Sequence, residues 1–167
     1  VKSGPNYREA TGETRFGELV LLKPMTYMNR SGNALRAWAA RTGNRLAGDQ
    51  ESELPAPIVV CDDLALPLGS LRVRAHGGAG GQKGLAHIIQ VLGGEYIPRV
   101  RLGIAGGDGQ IPAEEWSDYV LEPFLADEEI IVQELVALAS DALEYLLEHD
   151  PIQTASRFNR RLRPQVD

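Results

Sequence analysis

The chain has 167 residues, 43% of them apolar, and a formal net charge of −6, which suits one domain around one substantial core. Its single cysteine, Cys61, excludes an internal disulfide, and no apolar run approaches the roughly 18 residues of a membrane span. The opening VKSGPNYREATGETRFG is too polar for a signal peptide, so a cytoplasmic protein is the expectation. The chain begins without an initiator methionine.

In chain order, ELVLLKP (18–24) predicts a buried strand. SGNALRAWAARTG (31–43) predicts a helix, with Ser31 as its cap, Ala34, Leu35 and Trp38 on its apolar face and Gly43 as its stop. A loop with Asp49, Glu51, Glu53 and Pro55 follows. APIVVCD (56–62) and SLRVRA (70–75) read as strands, LAHIIQVLG (85–93) as a helix and RVRLGIAG (99–106) as a strand, each bounded by Gly or Pro. From Asp127, a second capping residue, the apolar positions Ile130, Ile131, Leu135, Leu138, Ala142, Leu146 and Leu147 keep helical spacing up to Pro151. PIQTASRFNRRL predicts a last short helix. There are no repeats. The alternation predicts an α/β fold: a single domain over 1–167, with a mixed twisted β-sheet flanked by helices.

Charge is unevenly spread. Between Leu66 and Arg101 stand Arg72, Arg74, Lys83, Arg99 and Arg101 against one acid, Glu95, whereas Leu102 to Ser156 holds thirteen acids and no Lys or Arg. Arg157, Arg160, Arg161 and Arg163 close the chain. A local basic strip on an acidic protein is compatible with nucleic acid, although the net charge is not.

Ligands of such sheets bind where strands end in polar loops. KPMTYMNRSG offers Met28 and Asn29, CDDLALP offers Asp62 and Asp63, and HGGAGGQKG leads into a helix whose first N–H groups suit an anion. The glycine spacing fits neither G-x-x-x-x-G-K-[ST] nor G-x-G-x-x-G. There is no G-x-S-x-G, no H-E-x-x-H and no cysteine pair. His87 and His149 lie in helical patterns, and His76 alone stands beside the glycines.

Four ordered segments, LLKPMTYMNRSG, VVCDDLALPLGSLRVR, GGAGGQKGLAHII and RVRLGIAG, resemble the bacterial peptidyl-tRNA hydrolases (aminoacyl-tRNA hydrolases), enzymes that cleave the ester joining a peptide to tRNA. The resemblance implies a monomer that needs no metal or cofactor, whose partner is the acceptor end of peptidyl-tRNA and which works in translation. It implies that Asn29 positions water and ester, that Asp62 orients a catalytic histidine, and that Tyr27, Met28, Gly80, Gly81, Gln82 and Lys83 line the substrate path. Arg74 and Arg101 match the pair that grips the 5′-phosphate of tRNA.

The departures from this pattern are specific. The family's general base lies in an N-terminal motif of the form NPG…TRHN, which these residues do not contain, and its first central strand is expected to be absent with it. Gln82 and Lys83 stand where the family has His-Asn, and Cys61 and Ala65 replace a His and an Asp beside the acid pair. Two alternatives follow: a catalytically inactive RNA-binding relative, and an unrelated α/β protein that binds a small anion.

Overall fold

The polar N-terminus offers no apolar run, yet it folds as two strands. The computed structural model describes residues 1–15, 17–106 and 111–162. β1 (Lys2–Gly4), β2 (Tyr7–Thr14) and β3 (Gly17–Pro24) form an antiparallel sheet in that order. Tyr7 and Glu9 point inward from β2, as the two-residue period of a strand requires. Both are tied to helix α1 (Gly32–Thr42): Arg41 Nε donates to the Tyr7 hydroxyl at 2.6 Å, and the Arg41 guanidinium forms an ion pair with Glu9. β3 is the strand predicted over 18–24, but it is not buried. It lies at a sheet edge, β2 is its partner, and Leu21 is 61% exposed. α1 ends as predicted at Gly43, whose left-handed φ of 74° favours glycine.

The chain folds as two compact units. The first comprises Val1–Pro57 and His76–Ile97, and contains this sheet, α1 and helix α2 (Lys83–Leu92). The second comprises Ile58–Ala75 and the chain from Pro98 onward. It holds a mixed sheet in the order β4-β6-β5-β7, built from β4 (Val59–Pro67), β5 (Ser70–Arg74), β6 (Arg99–Ala105) and β7 (Arg160–Arg161). The α/β class is as expected. The strands lie in two sheets rather than one, because among the described residues β3 pairs only with β2 and β4 only with β6.

β4 runs parallel to β6, and β5 runs antiparallel to it. One face of β5 and β6, through Leu71, Val73 and Val100, packs on α4 (Glu129–Leu146) and α5 (Pro151–Phe158). Their inward residues Leu135, Leu138, Ala142, Leu146 and Phe158 complete the core. Before them come a 3-10 turn (Ala113–Glu115) and the four-residue helix α3 (Trp116–Tyr119).

Three predicted details change. Glu128, not Asp127, is the residue before α4, and its carboxylate accepts the Leu125 N–H at 3.0 Å. Ile130 is 69% exposed, because helical periodicity cannot tell the core flank from the solvent flank at the first turn. Arg160 and Arg161 leave the final helix to pair with Leu71 and Ser70 as β7, and Arg163 lies outside the described residues. Asn159, between α5 and β7, uses its amide as a strand would: Oδ1 accepts the Val73 N–H at 2.6 Å and Nδ2 donates to the Val73 C=O at 3.3 Å. No helix among the described residues is long and apolar enough to cross a membrane.

Candidate functional site

The candidate residues fall into two groups, one in each unit. In the first unit, Met28–Arg30 forms one 3-10 turn after β3, with Arg30 N–H donating to Tyr27 C=O at 2.8 Å and Ser31 N–H to Met28 C=O at 3.2 Å. Tyr27 and Met28 are 81% and 58% exposed, and Asn29 is exposed beside them. Ser31 does not cap α1. It is buried, and its hydroxyl turns back to donate to Met28 C=O at 2.8 Å. A residue from α2 supplies the capping acceptor instead: His87 Nδ1 accepts the Gly32 N–H at 2.9 Å. This bond requires an imidazole unprotonated at Nδ1, so it fixes the tautomer with the proton on Nε2. It satisfies one of the free N–H groups at the start of α1.

The glycine stretch stands at the start of α2. Gly77, Gly80 and Gly81 have φ of 117°, 58° and 87°, conformations that L side chains rarely adopt. Gln82 precedes α2 in an extended conformation, with no side-chain capping bond to the helix, and Lys83 is the exposed first residue of the helix. Gly84 follows in a confined position. A Cβ there would lie 2.7 Å from Met28 Sδ and 3.2 Å from Ser31 Oγ. Gly84→Ala is therefore expected to push the flexible Met28 side chain aside and, because alanine favours the helix, to change thermal stability by less than about 1 kcal/mol; a melting curve measures it.

In the second unit, Asp62 and Asp63 lie within β4 rather than in a loop after it, since the strand continues to Pro67 through an irregularity in its pairing. Strand alternation sends the two acids to opposite faces, so they are not a dyad. Asp62, half-buried, is in register with Leu102. Asp63 is 2% exposed; its Oδ1 accepts the Ala65 N–H at 2.9 Å, and Oδ2 is held by an ion pair with the Arg101 guanidinium.

Register also gathers the arginines. Arg72 stands opposite Arg101 and Arg74 opposite Arg99, so all four share the face of β5 and β6 opposite the core. Arg74 is exposed, Arg101 keeps 22% of its side chain in solvent, and Arg99 is buried. Like charges placed directly opposite one another oppose pairing, and one acid, Asp63, is ion-paired with Arg101. This face is suited to an anion. Arg72 and Arg99 are not among the site residues expected from the sequence, although the i, i+2 spacing of Arg72 with Arg74 and of Arg99 with Arg101 carries the signal.

Cys61 lies in register with Arg101. Burial, reinforced by the charges of Asp62 and Asp63, pushes its thiol up to about 11. The thiol is therefore neutral at pH 8, and iodoacetamide is expected to alkylate Cys61 far more slowly in the folded chain than in urea. Equal rates would place Cys61 outside this acidic, buried setting.

Each histidine is engaged. His76 stacks on Tyr96, His87 holds Gly32, and His149 stacks on Tyr145 with ring centroids 3.7 Å apart. Among the described residues, no three His, Cys, Asp or Glu side chains gather as a metal site would need.

The second unit carries an arginine-lined sheet face with Asp63 ion-paired on it, and the first carries an exposed amide turn beside a glycine-led helix, each a candidate site of an α/β protein. The family model for peptidyl-tRNA hydrolase matches residues 2–165. The peptidyl-tRNA hydrolase of Chlorobaculum tepidum is 41% identical over 142 residues, covering 83% of this chain and 68% of its own length. That of Fervidobacterium nodosum is 36% identical over 158 residues, covering 95% and 78%. A crystal structure of peptidyl-tRNA hydrolase from Acinetobacter baumannii superposes with a TM-score of 0.76 at 25% identity, over 96% of this chain and 76% of that one. The chain belongs to the peptidyl-tRNA hydrolase family.

Proposed function

We propose that this chain acts in the hydrolysis of the ester between peptide and tRNA, releasing a peptide carboxylate and a tRNA with a free terminal hydroxyl. The observation that carries the reading is family membership across nearly the whole chain, joined to an arginine face of the kind a phosphate needs. Water adds to the ester carbonyl, the bond to the ribose oxygen breaks, and the proton of the water passes through a base to that oxygen. Asn29, on its exposed turn, positions water and ester. Tyr27 and Met28 supply apolar contact for the substrate, Gly80 and Gly81 allow its backbone close approach, Gln82 hydrogen-bonds it and Lys83 adds a charge to the phosphate grip. Asp62 orients the histidine base. The three histidines present are engaged with Tyr96, Gly32 and Tyr145, so this reading assigns the base to none of them. Arg74 and Arg101 hold the 5′-phosphate of the acceptor end. The chain works as a monomer in the cytoplasm.

The test is hydrolysis of an N-acetylated aminoacyl-tRNA by the 167-residue chain, beside the same chain extended by whatever is encoded upstream. Turnover in the extended form supports the reading. Turnover in the short chain would identify another base, and tRNA bound without turnover in either would favour an inactive RNA-binding relative. A companion result concerns the arginines. Arg74→Ala with Arg101→Ala should weaken tRNA binding and flatten its salt dependence, by about 0.7–0.9 in the log–log slope for each phosphate no longer neutralised.

A further inference from the structure

His76 and Tyr96 form an aromatic step that the proposed chemistry does not use. Their ring centroids are 5.3 Å apart and their planes lie 10° from parallel. Both rings are exposed, Tyr96 by 39%, so the pair is not simply part of a core. The backbone beneath it is fixed. Gly77 N–H donates to Glu95 C=O at 3.1 Å, which holds the start of the glycine stretch against the segment carrying Tyr96. Tyr96 N–H donates to Gly48 C=O at 2.7 Å. Gly48 and Gly94 touch backbone to backbone, since a Cβ on Gly48 would lie 2.5 Å from the Gly94 carbonyl oxygen and one on Gly94 would lie 2.2 Å from that of Gly48.

Rings held in this way lose little freedom when a third flat ring joins the stack, which favours a planar ligand over a flexible acyl chain. The imidazole and the phenol also carry polar edges that can meet the hydrogen-bonding edges of a base. The stretch that begins at His76 ends at Lys83, an exposed cation on the first residue of α2. A planar group attached to a phosphate backbone answers both features.

We propose that His76 and Tyr96 are a stacking shelf for an unpaired base in the 3′ tail of the tRNA. This rests on the RNA reading above and adds to it residues that read the single-stranded end rather than the phosphates. His76 thereby binds substrate and does not serve as a base.

The experiment compares the affinity of deacylated tRNA with that of the same tRNA trimmed back to its last base pair, for the wild-type chain and for His76→Ala, Tyr96→Ala and Tyr96→Phe. Trimming also removes tail phosphates, so the comparison between variants isolates the rings. Wild type is expected to prefer intact tRNA by about 5- to 10-fold. Both alanine variants should lose most of that preference while binding trimmed tRNA as wild type does, and Tyr96→Phe should keep it. A preference that survives both alanine changes, or a wild type that binds the two RNAs equally, overturns the shelf while leaving the RNA reading intact. If wild type binds neither RNA, the substrate reading and the shelf fail together.

Discussion

Asp62→Ala is expected to slow ester hydrolysis by roughly 10²- to 10⁴-fold in the catalytically complete protein, with tRNA affinity unchanged. An acid that fixes a histidine's tautomer and orientation contributes to the transition state rather than to binding, so the loss belongs in kcat. Asn29→Ala should lower kcat by roughly 10²- to 10³-fold for a related reason: a positioned amide donor meets charge that develops only as water adds to the carbonyl. Single-turnover hydrolysis of an N-acetylated aminoacyl-tRNA separates chemistry from release. An unchanged rate in both variants would move the site away from these residues.

The neighbouring acid should behave differently. Asp63→Ala is expected to cost about 3 kcal/mol of stability, measured by urea unfolding. It removes one partner of an ion pair in which the carboxylate is 2% exposed, and it also deletes the acceptor of the Ala65 N–H. Arg101 retains solvent on 22% of its side chain, which places the effect at the lower end of what breaking a buried pair costs. The same change frees the Arg101 guanidinium, so tRNA should bind more tightly at low salt even as the protein becomes less stable. Adjacent residues of one strand are thus read by different measurements, Asp62 by rate and Asp63 by stability. If Asp63→Ala leaves the unfolding midpoint in place, the ion pair is not part of the folded state.

Much of this was legible in the sequence wherever apolar periodicity is strong. α2, β5, β6 and α4 appear within a few residues of their predicted bounds, because Val, Ile and Leu at period two or 3.6 have one way to be buried. β1 and β2 were not legible. β1 buries no residue, the inward residues of β2 are Tyr7 and Glu9, and that glutamate faces inward where Arg41, 32 residues later, meets it. Ser31 misled for a similar reason: a serine before a helix is ordinarily its cap, but the acceptor came from His87, 55 residues away. Of the candidate site, the residue types were readable and their faces were not. CDDLALP looks like a loop after a strand. The pairing of β4 with β6 carries the strand on to Pro67 and separates Asp62 from Asp63. Opposing arginines are likewise a property of register, which one strand's sequence does not contain.

The amide of Asn159 has a consequence for how the protein behaves in a crowded solution. Among the described residues β7 covers only Ser70 and Leu71 of β5, and the next outward-facing peptide groups of a strand edge can serve as a template for another chain. By bonding both polar groups of Val73, Asn159 occupies the position where a foreign strand would add. Solubility at this edge therefore depends on one side chain imitating a missing neighbour, and a change to alanine would be felt as self-association on concentration sooner than as a change in any reaction.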